Sequence, residues 1–244
     1  GVSYRIQDNH IVYLRAARGF RAPQASELYR LQSGQQTGDL NSEQIEDLEL
    51  GLRGGIGART DYTLAVYYMT KDNVIFQDSA RRNISGAKTR HYGTEFSVEH
   101  WRLGLDASIA SHTYDKRIDL LGASGDIKGN TIDTAPEVFG SARIAWDFSE
   151  LVGRESLAEL EWVYMDEYYL EPDNAHRYEG HSLLNLRVSS QLSAHWDAAL
   201  RLSNLTDEDY AERPAAGRLR GDRLPLRAAL IAPLQTQLKT SLQA

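Results

Sequence analysis

Arg81 and Arg82 are adjacent, and Arg90 follows just beyond the same polar stretch. A guanidinium presents a planar fork of donors that matches a carboxylate or a catecholate-like anion. Six aromatic residues, Tyr29, Phe76, Tyr114, Tyr168, Tyr169 and Tyr178, fall in or beside polar stretches of the same kind. Rings and forks together make an anion-capturing surface the first chemistry that these residues offer. The plainer alternative is that the arginines pair with the many acids around them.

Catalysis finds less support. The seven histidines (His10, His91, His100, His112, His176, His181 and His195) are scattered. His176 and His181 share one stretch, but their spacing is not that of a helical zinc pair, and no carboxylate completes a recognised site. No nucleophile elbow surrounds any serine. With no cysteine, disulfide frameworks and thiolate chemistry are excluded. The sequence therefore reads as no enzyme, with no resident cofactor and no metal site. A net charge of -7 argues against a general nucleic-acid partner.

The elements that must carry these residues are strands. In residues 44–53, Leu48, Leu50 and Leu52 share one face, and Asp47, Glu49, Gly51 and Arg53 share the other. The same alternation recurs over 60–70, 91–99, 102–110, 138–146, 158–164, 183–190 and 196–203, less clearly over 11–17, with a short start at 1–6. That makes about ten strands, each near the length a tilted bilayer-spanning strand needs. Mean hydropathy is -0.48, as expected when half of every strand faces a polar lumen.

The connections alternate in length. Short breaks fall near Gln7–Asn9, Gly54–Arg59, His100–Arg102, Ser149–Glu155 and Ser193–His195. Long polar breaks fall near Gly19–Glu43, Asp78–Ala87, Asp115–Ala135, Glu171–Gly180 and Thr206–Gly221. An up-and-down antiparallel transmembrane β-barrel has this rhythm, with short periplasmic turns and long extracellular loops. Aromatics near strand ends (Tyr62, Tyr68, Tyr92, Trp101, Trp146, Trp162, Tyr164 and Trp196) fit interfacial girdles. In that setting outer-membrane lipid is a partner, and the loop arginines have a further plain role on lipopolysaccharide phosphates.

A family resemblance runs through the same segments. Arg18-Gly19-Phe20-Arg21-Ala22-Pro23, then Glu27-Leu28, resemble the TonB-dependent outer-membrane receptors. Asn41-Ser42-Glu43 leading into Leu48-Glu49-Leu50-Gly51 looks like a family segment, with Ser42 in place of the usual proline. Asn73-Val74-Ile75, Asn83, Gly86, Gly93-Thr94-Glu95 and Ala135-Pro136 follow in order. Ser203-Asn204-Leu205-Thr206-Asp207 with Tyr210 resembles the penultimate-strand signature. Gly19 and Pro23 are expected to break a strand where it leaves the membrane. Gly93 is expected to leave a gap on the polar face for a lumen-filling domain, and Asn204 and Asp207 to turn the chain.

The resemblance implies part of a 22-stranded barrel and energy-coupled uptake of a ferric siderophore or similar nutrient across the outer membrane of a Gram-negative bacterium. Arg81, Arg82, Arg90 and the six aromatics would then hold an iron chelate. The charges Asp47, Glu49, Arg53, Glu95, Glu99, Asp106, Arg143, Arg187 and Arg201 would face an N-terminal plug domain, and the TonB complex would act through it. No plug-like segment is present, and the chain reads as the C-terminal half of the barrel.

Residues 1–223 are expected to form the barrel segment, and 224–244 an atypical tail. Gly221-Asp222-Arg223 stays in register with the family, but Leu224-Pro225-Leu226-Arg227 replaces its aromatic-proline-glycine stretch. From about Leu226 a helix interrupted by Pro233 is the expectation, as in a truncated or frame-shifted product. Two rival readings remain: a passive porin-like small barrel closed by these strands alone, and a soluble carbohydrate-binding β-sandwich.

Overall fold

The structure, a computed structural model, describes residues 1–29, 39–78, 81–116, 126–211 and 227–231. Its strands are β1 (Val2–Gln7), β2 (His10–Arg21), β3 (Glu43–Ile56), β4 (Thr60–Gln77), β5 (Asn83–His100), β6 (Leu103–Tyr114), β7 (Val138–Asp147), β8 (Ser156–Met165), β9 (Tyr168–Tyr169), β10 (Arg177–Tyr178), β11 (His181–Ser193), β12 (Trp196–Ser203) and β13 (Arg227–Ile231). Two short helices interrupt them, α1 (Ala25–Tyr29) and α2 (Ser149–Val152). Eleven strands form one sheet in the order β1-β2-β3-β4-β5-β6-β7-β8-β11-β12-β13, and β9 and β10 form a separate small hairpin. Every neighbouring pair is antiparallel.

The register preserves the alternation across the whole sheet. Leu14, Leu50, Val66, Thr94 and Ile109 stand in one cross-strand row. Leu103, Ile144, Leu160, Leu186 and Leu202 stand in another on the same face. These side chains are not covered by protein: Leu48 is 50% exposed, Leu50 49%, Ile109 60% and Ile144 54%. A sandwich would bury such a face against a second sheet. Here the buried apolar side chains among the described residues are Ala65, Ala87, Ala110, Ile127, Leu170 and Tyr178, with none of the alternating leucines. A contiguous apolar face of this size is what a bilayer covers, which removes the sandwich reading. β1 and β13 are the two edges and do not pair with each other, so the described strands do not close a small barrel by themselves.

The connections run short and long as the sequence predicts. Asp8–Asn9, residues 57–59, Trp101–Arg102, the α2 turn and residues 194–195 lie at one end. At the tightest, Trp101 adopts φ 51° and lies beside Arg102 and Arg59, whose guanidinium carbons stand 4.3 and 5.2 Å from the ring centroid.

Three expectations need correction. Within the break at Asp78–Ala87, residues 83–87 are strand: β4 and β5 each run 18 residues, where roughly 9–11 cross a bilayer. Their upper thirds continue beyond the membrane as a hairpin, with register shifts near Lys71, Val74 and Ile75, and with Asn73 at φ 55° and Gly86 at φ 122°. Gly19 does not break its strand: it pairs with Ile45 inside β2, and the strand ends at Arg21, before Pro23. Arg227–Ile231 is a strand paired with β12, not a helix, and it brings the sheet to eleven strands, in keeping with the count of about ten. The boundary expected at residues 223 and 224, and Pro233, lie outside the described residues.

The gap expected over Gly93 is also filled from within. A Cβ there would lie 2.7 Å from the Ile109 carbonyl oxygen and 2.9 Å from the Tyr67 hydroxyl. Gly51 is likewise covered by the Tyr13 ring, whose Cζ would stand 2.1 Å from an added Cβ. In both pairs a tyrosine of the neighbouring strand lies across a glycine, so close approach by the chain itself demands the missing side chain.

Candidate ligand-binding site

The barrel fold turns the polar face of the sheet inward. Asp47, Glu49, Arg53, Glu95, Glu99, Asp106, Arg143, Arg187 and Arg201 all lie on that face by register. Several neutralise one another. One Arg15 nitrogen sits 2.9 Å from both Asp47 and Glu49. Arg143 sits 2.5 Å from Glu99 and 3.8 Å from Glu159. Asp106 accepts weakly from Ser141 at 3.5 Å. Arg187 and Arg201 stand directly opposite each other, an arrangement that costs energy unless an anion or water screens it.

Above the wall, the loops form two braced groups. In the first, Arg21 donates to Glu43 at 2.7 Å and to both oxygens of Glu27 at 2.9 and 3.0 Å. Glu43 also accepts from the Ile75 amide at 2.8 Å, and Asn83 donates to the Glu27 carbonyl at 2.8 Å. α1 is thereby pinned to the β4–β5 hairpin. The Arg21 fork holds the carboxyls of both Glu27 and Glu43 below the ordinary carboxylate range.

In the second group, Asn174 accepts from the Thr131 amide at 3.0 Å and donates to the Thr131 carbonyl at 2.8 Å. Asn130 donates to the Pro172 carbonyl at 3.0 Å, and the Thr134 amide to that of Tyr169 at 2.7 Å. Tyr114 donates to Asp133 at 2.9 Å, and burial, with Asp133 beside it, pushes its hydroxyl pKa up. Asn204, buried and at φ 57°, accepts from the Glu208 amide at 2.9 Å and donates to the Glu208 carbonyl at 3.0 Å. Its own amide donates to Asn185 of β11 at 3.0 Å. That is the physical content of the Ser203–Asp207 motif: a left-handed turn whose side chain replaces a strand's ladder.

The nine residues expected to bind a ligand do not converge. Tyr29 ends α1 and is 64% exposed. Phe76 lies near the end of β4 opposite Ile84. Arg81 takes φ 61° at the hairpin tip, where its amide donates to the Asp78 carbonyl. Arg82 is held by Asp78, with nitrogens at 2.8 and 2.9 Å from one oxygen. Arg90 shares its face with Tyr92, so it points outward, where it pairs with Asp115 at 2.7 Å. It therefore cannot line the interior with the others.

Tyr168, Tyr169 and Tyr178 do come together, on the β9–β10 hairpin. Tyr168 and Tyr178 have ring centroids 5.2 Å apart, Tyr178 lies 5.9 Å from His181, and His181 4.8 Å from Tyr210. Arg177 lies 4.6 Å from the Tyr169 ring centroid and also pairs with Glu167. Among the described residues this row of four rings is the most continuous aromatic surface at the loop end. Sequence reading missed His181, Tyr210 and Arg177; only the β11 alternation, which puts His181 on the inward face, held a signal for one of them. Among the described residues no group of three or more His, Asp or Glu side chains is arranged to hold a metal ion.

Comparison with known proteins accounts for this architecture. Residues 1–205 match the model of the TonB dependent receptor-like β-barrel family. No curated protein matches the sequence. Among solved structures, the ferric preacinetobactin receptor BauA from Acinetobacter baumannii superimposes with a TM-score of 0.71 at 18% identity, over 93% of this chain and 34% of that one. The ferric-catecholate import receptor Fiu from E. coli K12 gives 0.69 at 17% identity, over 94% and 32%. The ferric yersiniabactin uptake receptor FyuA from Yersinia pestis gives 0.67 at 17% identity, over 87% and 33%. The chain thus spans about a third of the length of each of these structures. The chain belongs to the TonB-dependent receptor β-barrel family.

Proposed function

We propose that this chain forms part of the barrel of a Gram-negative outer-membrane receptor that takes up a ferric siderophore, or a similar anionic iron chelate, by energy coupling. The observation that carries the reading is the family match across residues 1–205, a family of transport receptors. The similar receptors BauA and Fiu, which take ferric preacinetobactin and ferric catecholate, point the same way.

In this reading the ligand meets the aromatic row Tyr168, Tyr178, His181 and Tyr210, flanked by Tyr169 with Arg177 and by Tyr114 of the same loop group, while Tyr29, Phe76 and Arg81 face it from the other loop group. Arg82 is already engaged by Asp78 and contributes through the loop shape. Arg90 faces the outer leaflet, where lipopolysaccharide phosphate competes with Asp115. The inward charges dock a plug domain, with Arg187 and Arg201 taking carboxylates and unpaired acids taking cations. The plug in turn connects to the TonB complex.

The test is uptake of radioactive iron by iron-starved host cells lacking the gene for this chain, supplied with ferric catecholate, hydroxamate or citrate. Loss of uptake for one chelate class, restored by the intact gene and reduced by Y168A with R177A, is the expected result. Unchanged uptake of every chelate contradicts the reading.

A further inference from the structure

The β5–β6 turn is two residues, Trp101–Arg102, and His91 and His112 stand equally far from it on either side, so the hairpin sets them opposite each other. Met69 of β4 lies opposite His91 on its other flank, and Asp47 lies beyond Met69. All four share the inward face. His91 is only 8% exposed. Its Nε2 lies 2.9 Å from Thr89 Oγ1, and its Nδ1 lies 2.9 Å from the Nδ1 of His112. When the hydroxyl accepts from Nε2–H, the Nδ1 of His91 is left as a lone pair aimed at its neighbour. Imidazoles that bind metals are anchored in this way through their other nitrogen.

The spacing selects among ions. Two bonds of roughly 2.0–2.1 Å to nitrogens 2.9 Å apart enclose an angle of about 90°, whereas tetrahedral zinc needs nitrogens about 3.3 Å apart. Right angles belong to square-planar and octahedral ions, copper(II) and nickel(II) among them. Lys71 acts electrostatically on both imidazoles, and Glu137 on His112 with the opposite sign.

We propose that the Nδ1 atoms of His91 and His112, with Met69 at the register position opposite His91 as a third ligand, form a site for a divalent copper or nickel ion on the inner wall of the barrel. The site lies one residue from the Tyr92 girdle position, in the barrel wall rather than in the loops, and needs nothing from the iron-chelate reading. The competing arrangement is a neutral histidine-histidine hydrogen bond that excludes metal.

The full chain, refolded in detergent, is titrated with copper(II) chloride and followed by electron paramagnetic resonance. One tightly bound equivalent with hyperfine coupling to two nitrogens is expected. H91Q and H112Q should each weaken it by more than about 100-fold, and T89V, which frees the anchoring nitrogen, by about 10–100-fold. H195Q, in the exposed β11–β12 turn, should leave it unchanged. M69L retains volume and hydrophobicity, so it keeps the fold while shifting the spectrum. Circular dichroism verifies that each variant remains folded. Absence of a stoichiometric signal, or equal binding by H91Q and H112Q, overturns the site; an unshifted M69L spectrum overturns the thioether's part in it.

Discussion

Arg21 and Asn174 occupy comparable places in the two loop groups, each tying a loop to a neighbour, but they do so with different chemistry. Arg21 is a charge clamped between Glu27 and Glu43 at 2.7–3.0 Å. Asn174 is a neutral amide that closes a two-point bond on the Thr131 backbone. An ion-pair brace weakens with salt and with acid, and a solvated one is worth little at high ionic strength. An amide brace responds to neither, and removing it strands backbone groups that need partners. The β2–β3 side of the barrel mouth is thus the adjustable one, and the β6–β11 side the fixed one. The aromatic row that offers the largest ring surface sits on the fixed side.

Both groups stand on the same wall, so the wall sets the largest effect. L50R and L186R place a charge on the lipid face and should destabilise the refolded barrel by about 2–4 kcal/mol each, read from urea unfolding in bilayers; little change at both sites would detach the wall from the membrane. N174A should cost about 1–3 kcal/mol, accelerate amide exchange at Thr131, and do so equally in low and high salt. R21A should cost about 1 kcal/mol after allowance for its partial exposure, accelerate exchange at Ile75, and lose its effect as salt rises. A salt-dependent N174A or a salt-independent R21A would erase the distinction between the groups.

Acid separates the two groups further. Glu27 and Glu43 have folded pKa values below those of the unfolded chain, with the Arg21 hydrogen bond as the first cause. Their stabilisation is therefore complete above the ordinary carboxylate pKa of about 4.3 and fades as pH falls through the lowered folded values. Exchange at Ile75 should rise in that window while exchange at Thr131 does not. The smallest effect concerns His176, which lies 2.5 Å from Glu171 and whose pKa that carboxylate raises. This tie is present below the ordinary histidine value of about 6.5 and opens as pH rises through the raised folded one. H176Q should abolish a pH-dependent shift in the Tyr178 resonances without altering the unfolding midpoint.

The membrane-crossing wall was legible in the sequence because only there do the two sides of a strand meet different solvents. Leu48, Leu50 and Leu52 against Asp47, Glu49 and Arg53 register that difference directly. Above the bilayer both sides meet water, so the upper thirds of β4 and β5 lost their alternation and read as loop. Arg90 failed for a related reason: its neighbours in sequence are polar, and only the register with Tyr92 reveals that it points outward. The tyrosine-over-glycine pairs and the His91–His112 pair depend on which strands lie side by side. A hairpin turn at Trp101–Arg102 would have been enough to align the histidines, but not to bring Met69 beside them. The aromatic row draws on β9, β10, β11 and residue 210, and such a convergence leaves no spacing rule behind.

The central claim is that the leucine face meets lipid and the charged face meets the barrel interior. The chain has no cysteine, so single cysteines at Leu50, Leu105 and Ile144 on one face, and at Ser97, Ser108 and Ser141 on the other, can each carry a nitroxide. In bilayers the first three labels should collide with dissolved oxygen and be shielded from a water-soluble nickel chelate, and the second three should show the reverse. Equal accessibility of the two sets to both reagents would contradict the account.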